Sequence, residues 1–417
     1  MPAVHRRARE TDRSAGADQQ ATKYYQAVKM HPKVSVIMAT YNHGRFVAEA
    51  IESVLSQDFT DFEFIISDDG STDDTREVVA SVSDPRIQFY PNTINRGACV
   101  VTNELISKCR GTYIALLNSD DRWLDGKLSR QVEFLDTHPE IGAVFGRARF
   151  IDKDGAPIPA SDLAFGTVFD QENRSRGDWL RRFFDQGNCL CHPTIMVRRS
   201  VYEDLGEFNN RYRQLPDMDM WIRLVKRYDL HVTDSCEIEF RIMPGENASS
   251  QNKVNAIRTI NEHYLIAQTF FDDVNAALLR EGFHDRLQLK HVPSEHHLDI
   301  EKALLFRGEF PGLTKTYALV GLEKLHILLC NDSAREILLK DYHISDSVFH
   351  VWSSNIDTLR PDWPADNAPM DPTLHLEEKA ERNSSQDPNL VSMTTTASLV
   401  KEVARRVRGK LRESIRG

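Results

Sequence analysis

Cysteine is scarce in this chain. Six residues in 417 (Cys99, Cys109, Cys189, Cys191, Cys236 and Cys330) show no framework spacing. That excludes a disulfide-stapled secreted domain and implies a reducing, cytoplasmic setting. Long apolar runs are absent as well. The stretch from Leu322 to Cys330 is interrupted by Glu323, Lys324 and His326, well short of the ~18 residues a membrane span requires. The N-terminal segment carries Arg6, Arg7, Arg9 and Arg13 without an apolar stretch behind them. It reads as a disordered polar arm over 1–32, not as a signal peptide. Positive charge is in deficit: a formal net charge of −10 argues against a general nucleic-acid binder. Glycine-rich nucleotide loops are missing too. No Gly-x-Gly-x-x-Gly follows the first apolar run, and no lysine-bearing phosphate loop occurs, so neither dinucleotide-binding nor P-loop chemistry is indicated.

What is present is a rhythm of short apolar runs and amphipathic stretches. Val34 to Ala39 reads as a buried parallel strand, and Phe46, Val47, Ala50, Ile51, Val54 and Leu55 then recur at helical spacing. Further strands are expected at Phe62–Ser67, Arg86–Tyr90 and Tyr113–Leu117, with helices from about Thr72 to Val82 and from about Ala98 to Cys109. Alternation of this kind predicts an α/β fold with an open, mostly parallel sheet, whose ligands bind beyond the strands' carboxyl ends. Thr40-Tyr41-Asn42, Asp68-Asp69 and Asp120-Asp121 all fall at such ends. Beyond 140 the pattern is mixed: a hairpin over Asp154-Gly155, a short helix marked by Trp179, Leu180, Phe183 and Phe184, a strand at Pro193–Arg198, and a helix face of Met220, Trp221, Leu224 and Val225. The expected organisation is an α/β domain over 33–250, a helical region over 251–360, a Pro- and Ser/Thr-rich linker over 361–396, and a basic amphipathic helix over 397–417. Between 401 and 417 seven Lys/Arg stand against two Glu, a pattern suited to an anionic membrane surface, or to packing on the chain's own domain or on a partner.

Adjacent acids at the end of a buried strand are electrostatically costly unless a cation joins them. Carboxylates together with phosphate oxygens suit Mg²⁺ or Mn²⁺, so Asp120-Asp121 by itself is either a metal and phosphate end of the sheet or an ordinary polar turn or helix cap. Cys189, Cys191 and His192 lack the paired spacing of a zinc site and read as buried strand residues, with His192 either in the core or facing a ligand. Glu295-His296-His297 reads as a solvated helix face.

These segments together resemble a known family. Val34-Ser-Val-Ile-Met-Ala-Thr-Tyr-Asn42, Ser56-Gln57, Ser67-Asp-Asp-Gly-Ser-Thr-Asp73, Asn95-Arg-Gly97, Gly111-Thr-Tyr-Ile114 and Ser119-Asp-Asp121 are similar, in order and spacing, to the family 2 inverting glycosyltransferases of the GT-A fold. The resemblance covers roughly residues 33 to 245. It implies a GT-A fold with a mixed, mostly parallel central sheet, followed here by a mainly helical C-terminal region. It also implies a nucleotide-diphospho-sugar donor, UDP- or dTDP-linked, and a glycan or lipid-linked acceptor.

The resemblance assigns roles residue by residue. Tyr41 would lie against the nucleotide base, with Thr40 and Asn42 shaping the turn. Asp68 would accept from the base, as a carboxylate can from a uracil N–H, while Asp69 is the better candidate for a helix cap. Asp120 would contact ribose or phosphate, and Asp121 would ligate Mg²⁺ or Mn²⁺. Pro216-Asp217-Met218-Asp219-Met220-Trp221 matches the segment that carries the catalytic base, giving Asp217 that role with Asp219 as the second candidate. Two departures stand out: Pro216 replaces the family's Glu, and Phe240-Arg241-Ile242-Met243 keeps an Arg but has Met243 where a His is usual. Arg241 would then hold phosphate alone, in a loop after the base helix. The competing functions are a catalytically degenerate nucleotide-sugar-binding scaffold and a sugar nucleotidyltransferase. The latter needs a Gly-rich basic first loop that Thr40–Gly44 does not supply.

Overall fold

The computed structural model describes residues 31–243, 245 and 252–356. Most of the expected arm, the linker over 361–396 and the basic helix over 397–417 lie outside the described residues. Among the described residues the strands are β1 (Val34–Thr40), β2 (Phe62–Asp68), β3 (Ile87–Pro91), β4 (Tyr113–Leu116), β5 (Arg122–Trp123), β6 (Ile141–Ile151), β7 (Pro157–Ile158), β8 (Met196–Arg198) and β9 (Asp229–Arg241). They form one sheet in the order β3-β2-β1-β4-β8-β6-β9-β5, with β7 paired to β6. β1, β2, β3, β4, β6 and β9 run one way, and β5, β7 and β8 run the other. The sheet is therefore mixed and mostly parallel.

The central strands are apolar on both faces because both faces are covered. Ile37, Ile65, Ile114 and Leu116 point into one core, and their neighbours Val36, Met38, Phe64, Ile66 and Ala115 into another. Helix α1 (Val47–Leu55) buries Val47, Ala50, Ile51 and Val54, spaced to form one stripe against the second core. The next helices are α2 (Thr75–Ser81), α3 (Ala98–Lys108) and α4 (Lys127–Thr137).

On the first face lie α5 (Arg176–Gln186), α6 (Arg199–Leu205) and α7 (Pro216–Arg227). They share that core with the helical region: α8 (Lys253–Thr269), α9 (Ala276–Phe283), α10 (Glu295–Leu305) and α11 (Thr314–Leu329). Phe184 sits at the joint, its ring packed on those of Phe270, Phe271, Phe283, Phe306, Phe310 and Tyr317. A smaller cluster closes α10 and α11 with α12 (Asp332–Asp341), and α13 (Asp346–Ser354) follows.

Three expectations are corrected. The strand expected over 193–198 is shorter: one 3-10 turn at His192–Thr194 precedes β8, as a Pro at the start of a turn favours. Arg241 is not in a loop but is the last residue of β9, a 13-residue strand whose apolar alternation is blurred by register shifts against β6. His297 is not solvated: it is buried, with Nε2 3.0 Å from Asp341 Oδ2 and Nδ1 2.7 Å from Ser294 Oγ.

Candidate active site

Register brings the polar clusters to one edge. Thr40, the last residue of β1, pairs with Asp68, the last of β2, and the Asp69 N–H donates to the Thr40 carbonyl at 2.8 Å. Asn42 adopts φ +54°, a left-handed turn that Asn tolerates. From there its side-chain oxygen accepts from the Thr72 N–H at 2.8 Å, while its own N–H donates to Ser71 Oγ at 2.9 Å. His43 Nδ1 meets Ser119 Oγ at 2.7 Å and so ties the first loop to the Asp120-Asp121 turn. Tyr41 stands exposed at 42%, open to stack on a flat ligand.

The acids Asp68 and Asp69 divide their work. Asp69 accepts from the N–H groups of Arg96 at 2.7 Å and Gly97 at 2.8 Å, holding the turn that enters α3; it does not cap the helix after its own loop. Asp68 is fully buried. Its Oδ2 accepts from the Gly70 and Ser71 N–H groups, both at 3.1 Å, and from Arg76 Nε at 2.6 Å. Its Oδ1 has no hydrogen-bond partner among the described residues, and neither does Thr40 Oγ1 beside it. Buried polar atoms without partners are rare and costly, and both mark the place where a ligand would donate.

Asp121 is buried, its Oδ1 accepting from the Arg241 N–H at 2.8 Å and its Oδ2 from Asn118 Nδ2 at 3.0 Å. Burial first, and the charge of Asp120 second, push its carboxyl well above the ordinary range. Arg241 is employed differently from the phosphate contact expected of it. Its guanidinium is buried and donates to the Asp120 carbonyl at 2.8 Å, the Asp152 and Lys153 carbonyls at 3.2 and 3.1 Å, and Glu49 Oε2 at 2.8 Å. It lies over the Phe46 ring at 4.7 Å. Arg241 is thus built into the floor beneath the two acids.

A second acidic position lies at the start of α7. Asp217 Oδ2 accepts from Asn188 Nδ2 at 2.6 Å, and burial pushes its carboxyl up to about 6. Asp219 is instead held by Arg223 on the same helix, Oδ2 to Nε 3.0 Å. Burial first, and the charges of Asp121 and Asp217 after it, push the Cys191 thiol well above its ordinary pKa. His192 is kept neutral by burial, down to about 4, with its ring against Phe208 and Trp221.

A model of the family described as "Glycosyl transferase family 2" matches residues 35–206. The chain is 40% identical over 253 residues, 59% of its length, to 94% of an Escherichia coli protein, the UDP-Glc:alpha-D-GlcNAc-diphosphoundecaprenol beta-1,3-glucosyltransferase WfaP. This chain belongs to glycosyltransferase family 2. It is also 27% identical over 275 residues, 61% of its length, to 38% of the chondroitin synthase of Escherichia coli. Among solved structures, residues 1–349 of S. aureus TarS with UDP-GlcNAc align at a TM-score of 0.49 and 18% identity, over 77% of this chain and 91% of that one.

For a family 2 glycosyltransferase, the donor set at Asp121 is informative. Among the described residues no three His, Cys, Asp or Glu converge to hold an ion. A single buried carboxylate beside Asp120 instead fits an ion shared with phosphate oxygens, the usual arrangement for Mg²⁺. His43, Ser119, Glu49 and Asn188 were not singled out from sequence as parts of the site. Each acts through a contact far along the chain, and no local spacing signals such a contact. Among the described residues no helix is long and apolar enough to cross a membrane.

Proposed function

We propose that this glycosyltransferase transfers a sugar, with inversion and with the help of a divalent cation, from a UDP- or dTDP-linked donor to a hydroxyl of a glycan or lipid-linked acceptor in polysaccharide synthesis. The observation that carries this reading is the placing of two acids, Asp121 at the turn after β4 and Asp217 at the start of α7, each held by its own hydrogen bonds. Asp121 accepts from the Arg241 N–H and from Asn118, whereas Asp217 accepts from Asn188 and has its carboxyl raised by burial to about 6. A carboxylate with a raised pKa is ionised at neutral pH and still a useful proton acceptor. Asp217 takes the proton of the acceptor hydroxyl as its oxygen bonds to the anomeric carbon; the bond from that carbon to the nucleoside diphosphate breaks with its electron pair. Asp219, paired with Arg223, is the poorer base.

On the donor side Tyr41 stacks on the base and Asp68 Oδ1 accepts from a pyrimidine N–H. Thr40 and Asn42 shape that pocket, and Asp120 contacts ribose or phosphate. Mg²⁺ or Mn²⁺ held by Asp121 would neutralise charge on the departing diphosphate. Arg241 keeps the Asp120-Asp121 turn in place. The relative WfaP, named for a UDP-glucose donor and a diphosphoundecaprenol-linked acceptor, supports this choice of substrates. The basic sequence over 397–417 would bring the enzyme to an anionic cytoplasmic membrane face; unchanged sedimentation with anionic liposomes after deleting it would refute that.

The test is a screen of UDP- and dTDP-sugars with Mn²⁺ for nucleotide release, repeated on Asp121→Ala and Asp217→Asn. Both variants should lose at least ~100-fold in turnover. Asp217→Asn should keep Mn²⁺-dependent thermal stabilisation by UDP, and Asp121→Ala should lose it. Unchanged turnover in both would show the site assignment to be wrong.

A further inference from the structure

The helical region is more than packing behind the catalytic sheet. Glu262, on α8, is buried at 4% exposure. Its Oε1 accepts from the Arg213 N–H at 2.9 Å, and its Oε2 from the Gln214 and Leu215 N–H groups, both at 2.8 Å. These are the three residues leading into α7. That helix has Pro216 in its first turn and no side-chain cap of its own from Leu215, so the acceptor its entry needs comes from another part of the chain. The neighbouring His263 lies against Gly187, its Cε1 3.7 Å from where a Cβ there would sit. Gly187 precedes Asn188, the hydrogen-bond donor to Asp217. One helix thus backs both the base and its partner.

The geometry points to Glu262 as a positioning residue that sets the place and charge environment of Asp217 from the helical region; this rests on the reading of Asp217 as the base. The carboxylate fixes the three amides, these fix the start of α7, and the second residue of α7 is Asp217. Its charge also acts directly: after burial and hydrogen bonding, Glu262 is the charge that raises the Asp217 pKa. Among the described residues, other titratable groups lie on the elements near Asp217. On the 187–194 segment, burial keeps the Cys191 thiol and the His192 ring neutral, with Asp121 beyond Cys191. On its own helix Asp219 is tied to Arg223. On α8, His263 is held neutral by burial, down to about 4.

The experiment is Glu262→Gln in the full chain, with UDP release followed from the fastest UDP-sugar of the screen in Mn²⁺. kcat should fall about 10-fold or more while donor KM stays within about twofold, since the donor-side loops are untouched. Loss of a neighbouring negative charge lowers the Asp217 pKa, so the acid limb of kcat/KM should move down by about half a pH unit. Amides 213–215 should exchange hydrogen faster, a readout that needs no donor. Glu262→Asp keeps the charge but withdraws it by one methylene: the limb should return to its wild-type position with kcat still reduced. Should Glu262→Gln fail to fold, Glu262→Asp with wild-type kcat and unchanged exchange overturns the proposal. Glu301→Gln is the structural control. Glu301 is a buried carboxylate that accepts from the Gln288 and Leu289 N–H groups, both at 2.9 Å, and its loss should lower stability without moving the limb. A Glu262→Gln enzyme with an unmoved limb and a kcat loss no larger than that control sinks the inference. An active Asp217→Asn enzyme sinks the base assignment itself; an inactive one beside a normal Glu262→Gln enzyme sinks only the role of Glu262.

Discussion

Among single residues, Asp217 makes the sharpest prediction because burial has moved its pKa from 3.8 to about 6. With the base protonated below that value, kcat/KM should fall about tenfold per pH unit under pH 6. The same shift has a consequence for stability. A carboxyl whose folded pKa is raised binds its proton more tightly when folded, so its contribution worsens as pH climbs from about 4 to 6 and is fully adverse above that. Asp217→Asn should therefore gain ~1–2 kcal/mol at pH 7.5, with the gain fading toward pH 4, by urea denaturation at the two pH values. Arg241 offers a different test. Lysine cannot serve three carbonyls and Glu49 at once. Arg241→Lys should cost ~10–100-fold in apparent Mn²⁺ affinity or turnover, as loss of a group that orients a metal ligand does, read by Mn²⁺ titration of nucleotide release.

Among the elements, the loop after β2 depends on Gly70. Its φ is +79°, and a Cβ there would meet the Ile94 carbonyl carbon at 2.5 Å and the Asn95 nitrogen at 2.6 Å. Both are backbone atoms of the turn that Asp69 holds from the other side. Gly70→Ala should destabilise by ~1–3 kcal/mol and weaken UDP binding, since the strained loop carries Asp68. Calorimetric titration of UDP together with a denaturation curve would check both; unaltered binding would show that the loop is not part of the donor site.

For the whole molecule, the question is whether the sheet and the helical region are separable. They share one apolar core in which Phe184, fully buried, stacks on Tyr317 at 4.9 Å and meets Phe270 and Phe271, each at 5.0 Å. Phe184→Ala should cost ~3–5 kcal/mol, as for a large aromatic removed from a packed core. Unfolding should remain a single cooperative transition, by circular dichroism and by tryptophan fluorescence alike. Two separated transitions in the wild type would show the helical region to be independent.

Much of this was legible in the chain itself. Mostly apolar runs such as Val34–Thr40 and Phe62–Asp68 announced strands buried on both faces, and the polar residues ending them pointed to a candidate ligand edge, because the carboxyl end of a parallel strand is where a loop can face a ligand. Other features were hidden. β9 carries a broken alternation that does not announce a strand, and the resemblance alone places Arg241 in a loop against phosphate. The choice between Asp217 and Asp219 was open, since both sit on one acidic helix start. Only tertiary structure bears on these points. Only the fold shows that Arg223 reaches Asp219, that Asn188 reaches Asp217, and that a carboxylate 45 positions on from Asp217, Glu262, supports the entry to its helix. Periodicity along a chain records which faces are buried. Which charge lies beside which is recorded only in contacts between distant segments, and those contacts set the pKa on which the chemistry turns.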